Sequence, residues 1–258
     1  YGEHPWLGIL NGEALIALGL NKKFNLPWLA DFRDPWTNID FYKDLKLSKR
    51  ADNKHKVFER EVLKCADMTL TVGISLGKEL EMLGSRRVEV VENGYDPSDI
   101  NDLNVELDTK FTIAHIGSFT PSRNHIVLWE ALSQLVKDNS DFSKNFQLKL
   151  IGKVDHSVRE SIIQYDLWNY VKFTPYLSHS EVIKEQSKSK VLLLMINNTA
   201  NAKGIITGKV FEYMASGRPT LVIGPEDGDV AIMINECNAG IVCGYNDAQK
   251  LKKVIIDL

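Results

Sequence analysis

Residues 191–223 read VLLLMINNTANAKGIITGKVFEYMASGRPTLVI. An apolar strand opens the stretch, a loop of small residues follows, and a short helix begins at about Lys209. Gly217-Arg218-Pro219 then turns the chain into a second apolar strand, Thr220–Ile223. Strand, helix and strand at this spacing mean a right-handed crossover and parallel pairing. The loop also places backbone amides and Lys209 at a helix N-terminus, where an anion is favoured. Glu212 lies about one turn further in, a carboxylate able to accept hydroxyl hydrogen bonds. An anion beside such a carboxylate suits a nucleotide, with diphosphate at the loop and ribose at Glu212. The alternative is an ordinary loop–helix–strand unit in which Glu212 merely complements the helix dipole, and this stretch alone leaves both open.

Working outward, the same alternation fills residues 111–258. Strands are expected at Phe111–Ile116, Phe146–Ile151, Val171–Phe173, Val191–Ile196, Thr220–Ile223 and Gly240–Cys243. Helices between them are expected at about 124–139, 157–166, from Ser178 or Ser180, at 228–236, and from about Asp247. Upstream, a helix ends near Asn21-Lys22-Lys23, and strands read at Trp28–Phe32, Met68–Val72 and Val88–Val91. Residues 41–66 turn helical in their second half. A helix is expected at Ser75–Leu83, with Ser75 as its N-cap. Asn93-Gly94-Tyr95-Asp96-Pro97 is a turn signature, and the polar run 97–110 suits a linker. The expected organisation is therefore 1–96, a linker at 97–110, and 111–258.

Composition sets bounds rather than a function. The 258 residues are 44% hydrophobic and 25% charged, with a formal net charge of -3. That is an ordinary globular balance, and it gives no electrostatic footprint for nucleic acid. Cys65, Cys237 and Cys243 have no metal-ligand spacing, and their apolar surroundings predict buried free thiols. No run of 18 apolar residues is present. The chain opens on Tyr1 without methionine and stops at Leu258 inside a helical pattern. The expectation is a piece of a longer protein with its last helix cut, inactive by itself.

Ligands of parallel sheets bind at the carboxyl ends of the strands. Three loops of the second half meet that edge: Gly117-Ser118 with Arg123, then Gly152-Lys153, then Asn197–Lys209. Each offers glycine, a cation or both. His115 reads as a core or sheet-edge histidine and His125 as a structural one, with phosphate contact as its alternative. Trp129 and Trp168 read as core.

Taken together, these residues resemble the GT-B-fold glycosyltransferases, specifically glycosyltransferase family 4 (glycosyl transferases group 1), in its bacterial members. The resemblance implies an α/β chain of two Rossmann-like domains with parallel sheets, the N-terminal one truncated. The first part would belong to the acceptor domain and 111–258 would bind a nucleotide-diphosphate sugar. By resemblance, Arg123 and Lys209 act on the departing diphosphate. Gly117, Ser118, Gly152, Lys153, Tyr176, Ile205, Ile206, Thr207, Gly208 and Glu212 would bind the donor. The Asp31-Phe32-Arg33-Asp34-Pro35-Trp36 segment resembles one facing the cleft, making Arg33 and Asp34 acceptor or donor-sugar contacts. The other reading of that pair is an ion pair that orders a loop.

The family carries two glutamates eight positions apart. The second matches Glu212, whereas the first position here is Gly204. The resemblance further implies retention of anomeric configuration, no cofactor and no metal. The partners would be a nucleotide-sugar donor and a saccharide or lipid-linked acceptor, in cell-surface polysaccharide synthesis. The setting would be cytoplasmic or the inner membrane face, with peripheral membrane contact through the N-terminal domain. Two rivals stand beside this reading: a non-hydrolysing nucleotide-sugar epimerase, and a degenerate non-catalytic nucleotide-sugar binder motivated by Gly204.

Overall fold

The computed structural model describes residues 6–100 and 105–258, the first six of these by backbone alone. It divides into two compact units, one reaching Asn93 and the other running from Gly94 to Leu258. Residues 101–104 of the expected linker lie outside the described residues. On either side of that gap, a short turn at Pro97–Asp99 is capped by Asp96, and the Asp108 amide donates to the Lys188 carbonyl.

The first unit comprises α1 (Trp6–Phe24), β1 (Leu29–Phe32), α2 (Lys49–Cys65), β2 (Met68–Thr71), α3 (Ile74–Leu83) and β3 (Val88–Val90). The strands form a parallel sheet in the order β1-β2-β3. Ser48 caps α2 by accepting from the Ala51 amide. Val62 and Leu63 of α2 pack with Leu18, Phe32, Trp36, Leu76 and Leu80 to form the core. Ser75 is not the cap of α3. Gly73 holds that position in an extended conformation, so Ser75 falls in the first turn.

Glu59 organises the loop that leaves β1. It is almost completely buried, and its carboxylate accepts from the amides of Trp36 and Thr37 and from the Thr37 hydroxyl at 2.6–3.2 Å. Burial raises its pKa, and these three bonds partly offset that rise. Truncation to alanine strips a buried loop of all three acceptor contacts. Glu59→Ala should therefore cost about 2 kcal/mol, read as a lower urea midpoint at unchanged slope, and Glu59→Gln should cost less.

The second unit contains β4 (Phe111–Ile116), α4 (Ile126–Asp138), α5 (Ser140–Asn145), β5 (Phe146–Ile151), α6 (His156–Gln164) and β6 (Val171–Thr174). It continues with α7 (His179–Lys188), β7 (Val191–Met195), α8 (Gly208–Ala215), β8 (Thr220–Ile223), α9 (Asp229–Glu236), β9 (Gly240–Cys243) and α10 (Ala248–Asp257). All six strands are parallel, in the order β6-β5-β4-β7-β8-β9. Alternate residues of β7 feed opposite cores. Leu193 and Met195 join residues of α4, α6 and α10, whereas Leu192 and Leu194 join residues of α8 and α9. A sheet covered on both faces explains the unbroken apolar run VLLLM.

Several expectations change here. The short helix α5, capped by Asn139, carries no apolar period long enough to announce it. Ser178, rather than Ser180, caps α7 in a reciprocal capping box with Glu181. Trp168 is 47% exposed rather than core, its ring lying against Phe173. Of the thiols only Cys243 is buried. Cys65 is half-buried and Cys237 is exposed, because Cys237 follows the last turn of α9.

Candidate functional site

The strand order reverses between β4 and β7, and a crevice is expected at that point. β4 pairs with β5 over six residues but with β7 over only Ile113↔Val191 and Ala114↔Leu192. Past this short ladder the two strands part, and the His115 ring crosses to place Nδ1 3.1 Å from the Leu193 carbonyl. A cavity of about 340 Å³ opens there. It is lined by His115, Gly117, Ser118 and Arg123 from β4 and its loop, Leu194 and Met195 from β7, and Thr207 and Lys209 at the start of α8.

Two cations meet in this space. Arg123 follows a short turn at Pro121; its Nε donates to Asn197 Oδ1 at 3.0 Å and its Nη1 reaches the Ser118 carbonyl at 3.3 Å. Asn197, itself buried, thus fixes the guanidinium from the end of β7. Lys209 makes no hydrogen bond or ion pair among the described residues. Burial pushes its pKa down to about 8, Arg123 pushes the same way, and Glu212 opposes them. Its ammonium lies against the Cα of Gly117, where a Cβ would sit 2.5 Å from Nζ; the φ of +108° there also favours glycine. Gly152 packs against Gly117 in turn, since a Cβ on Gly152 would lie 2.9 Å from the Gly117 carbonyl oxygen.

Around these cations sit polar atoms that the protein leaves unpaired. Among the described residues, His115 Nε2 and Thr207 Oγ1 are buried without a hydrogen-bond partner. Burial, then the Lys209 charge, drives the His115 pKa down to about 3, so the ring is neutral; the Leu193 and, secondarily, Ser118 carbonyls oppose the shift. Thr207 occupies the N-cap of α8 yet does not cap it. The first amides of a helix have no intrahelical acceptor, and here they accompany two cations and a buried hydroxyl. Orphaned polar groups are rare in native interiors; two of the four found among the described residues line this one cavity, beside two cations, which points to an anionic, oxygen-rich ligand.

Glu212 stands a turn beyond Gly208. Its Oε2 accepts from Gln186 Nε2 of α7 at 3.1 Å. Next to it in sequence, the buried Tyr213 hydroxyl accepts from the Ile116 amide at 3.2 Å and so ties α8 to β4.

The structure thus brings together Gly117, Ser118, Arg123, Thr207 and Lys209 at the cavity. It does not bring in every expected residue. Lys153 is exposed and contributes a carbonyl to Phe119 instead. Tyr176 is 90% exposed. The Ile205 amide is already used by the Ala202 carbonyl, and Ile205 and Ile206 pack against the apolar core. His125 takes a structural place: its Nε2 lies 2.7 Å from the Ile196 carbonyl and its ring against Tyr245. Gly204 closes a short turn, with neighbouring Lys203 paired to Asp227. In the first unit, Arg33 pairs with Asp31 and Asn93, not with Asp34. Burial, then Asp40, raises the Asp34 pKa. His115, expected as a core or sheet-edge residue, and Asn197, expected only as the start of a loop, take part in the site, as does Gln186, which sequence reading did not single out; their roles depend on neighbours across the sheet.

The family model for glycosyl transferases group 1 matches residues 99–258. The chain belongs to this family. No curated relative matches it by sequence. Among solved structures it is similar to sucrose-phosphate synthase from Thermosynechococcus elongatus, at TM-score 0.68 and 16% identity over 95% of this chain and 61% of that one. It is also similar to Anabaena HepE in complex with UDP, at 0.70 and 13% identity over 96% and 66% of the two chains. A third is WaaG, a glycosyltransferase involved in lipopolysaccharide biosynthesis, at 0.68 and 13% identity over 95% and 72%. The chain therefore spans between three fifths and three quarters of their lengths. At these identities the likeness shows the fold, an α/β GT-B architecture with parallel sheets. Among the described residues, no helix is long and apolar enough to cross a membrane.

Proposed function

We propose that the cavity between β4 and β7 holds the diphosphate of a nucleotide-sugar donor, and that the protein transfers that sugar to a saccharide or lipid-linked acceptor. The observation that carries this reading is the convergence of Arg123, Lys209 and two unpaired buried polar atoms at the helix-terminal cavity. In the transfer, the bond from the anomeric carbon to the diphosphate oxygen breaks and its electron pair leaves with the diphosphate. The acceptor oxygen forms the new glycosidic bond and loses its proton. Arg123, Lys209 and the first amides of α8 meet the developing negative charge, a preorganised arrangement that asks for no metal ion. Thr207 supplies a hydroxyl, Gly117 and Gly152 allow the close backbone approach, and Glu212 accepts from the ribose hydroxyls.

Retention of configuration rests on the family resemblance, as does a role in cell-surface polysaccharide assembly, with WaaG as a fold relative of that kind. Arg33 and Asp34 are the candidates for acceptor or sugar contact, and their loop is held by Glu59.

A thermal-shift panel of UDP, GDP and ADP tests the donor site. One nucleotide should stabilise the chain, by about 2.7 kcal/mol at 100 times its dissociation constant, and Glu212→Ala should remove most of that shift. Stabilisation that is identical in the variant would place the ribose elsewhere. Absence of any shift in folded protein would overturn the reading.

A further inference from the structure

Gln186 is an unusual residue to find inside this fold. It is 2% exposed on α7, where glutamine more often faces water. Its amide nitrogen is spent on Glu212 Oε2, 3.1 Å away on α8. We infer that Gln186 is a positioning residue, which fixes one oxygen of the Glu212 carboxylate so that the other is presented to the ligand. This rests on Glu212 being the group that accepts from the ribose.

The physical case has three parts. First, the side chain starts from a fixed point. α7 is closed at its N-terminus by the Ser178–Glu181 capping box, and Ile183 and Gln186 are its buried residues, one turn apart on the inner face. Glu185, beside Gln186, is anchored to buried Lys149 at 3.1 Å. Second, a carboxylate offers about four lone-pair sites on two oxygens. Holding Oε2 from the side removes the rotational freedom that a half-buried glutamate would otherwise lose on binding.

Third, the donor is a neutral amide. A lysine or arginine at this place would compensate the Glu212 charge and weaken it as an acceptor. Glutamine leaves the charge intact, which a pair of hydroxyl donors requires. A purely structural buried glutamine would instead be expected to bond backbone, the commonest partner of side chains.

The test is calorimetric titration of UDP, GDP and ADP into the wild type, Glu212→Ala, Gln186→Leu and Gln186→Glu between pH 5 and 8. Gln186→Leu keeps the volume and removes the donor, so affinity for the bound nucleotide should fall roughly tenfold. Gln186→Glu places two carboxyl groups together. At low pH a shared proton can replace the lost amide donor, and at higher pH the two charges repel. The variant's affinity relative to wild type should therefore fall as pH rises. His179, whose raised pKa reflects Asp99 first and Glu212 among others, and Lys209, brought down to about 8 by burial with Glu212 opposing, titrate in both proteins, and taking the ratio removes most of their effect.

A ratio independent of pH would show that residue 186 does not reach the Glu212 carboxylate, and that outcome overturns the inference. So would both variants binding within twofold of wild type while Glu212→Ala loses affinity. If no nucleotide binds the wild type, the donor-site reading fails and this inference falls with it. Gln186→Glu keeps the test decisive should Gln186→Leu fold poorly.

Discussion

Replacing Lys209 with methionine is expected to stabilise the ligand-free protein at neutral pH while removing most of its affinity for nucleoside diphosphates. The two effects have one cause. Lys209 holds its charge in a largely buried place with no ion pair among the described residues, and burial, only partly opposed by Glu212, brings its pKa from 10.5 to about 8. The folded state thus binds this proton less tightly than the unfolded chain. Below pH 8 the charge opposes folding in full, and that opposition fades as pH rises from about 8 to 10.5. A shift of this size corresponds to at most about 3 kcal/mol, and partial solvent access reduces it to about 1–2 kcal/mol.

Methionine fills similar space without the charge. The variant should therefore melt higher at pH 7 and lose the rise in stability between pH 8 and 10. Against that gain, nucleotide affinity should drop about 10- to 100-fold, because a charge-assisted contact to phosphate is gone. Calorimetry in the apo and nucleotide-bound states measures both. A lower apo melting temperature together with unchanged nucleotide affinity would show that Lys209 supports the fold instead of the ligand.

The largest loss of stability is expected at Lys149. Its side chain is 4% exposed on β5, with Nζ 2.5 Å from Asp108 and 3.1 Å from Glu185. Asp108 also accepts from Thr112 Oγ1, so this one cation joins β5, α7 and the segment ahead of β4. Lys149→Ala leaves two carboxylates facing each other around a void. Breaking a buried pair this way costs about 3–5 kcal/mol, equivalent to roughly 6–20 °C in the melting temperature of a domain this size. Replacing all three residues together, as Lys149→Met with Asp108→Asn and Glu185→Gln, should recover much of the loss, because no buried charge is then left uncompensated; Lys188, which also pairs with Glu185, is half-exposed and passes to solvent. A single variant that melts within 2 °C of wild type would mean that water reaches the site and screens it.

Some of this was legible in the chain. Four strands of the second unit, β4, β5, β8 and β9, fall on the residues that the sequence marks, because short runs rich in apolar residues, each followed by a glycine (Gly117, Gly152, Gly224 and Gly244), suit strands. Arg123 and Lys209 were placed at this edge from loop position, since the ends of parallel strands must share one edge, and Thr207 came with the family resemblance. His115 was not placed at the cavity, because a histidine in an apolar strand looks alike whether its ring meets a core or a crevice. Only the parting of β4 from β7 decides it. Gln186 and Asn197 act through partners 26 and 74 residues away, a separation that local pattern does not carry. Trp168 and Cys237 were misplaced for a related reason: apolar neighbours in sequence do not reveal which side of an element's end faces solvent.

The most direct test of the central claim is a crystal structure with the nucleoside diphosphate that the thermal-shift panel selects. The account predicts both phosphates in the cavity between β4 and β7, within hydrogen-bonding distance of Lys209 Nζ and the Arg123 guanidinium, with the ribose hydroxyls on Glu212. A nucleotide seated elsewhere, with the cavity between Gly117 and Lys209 untouched, would contradict it.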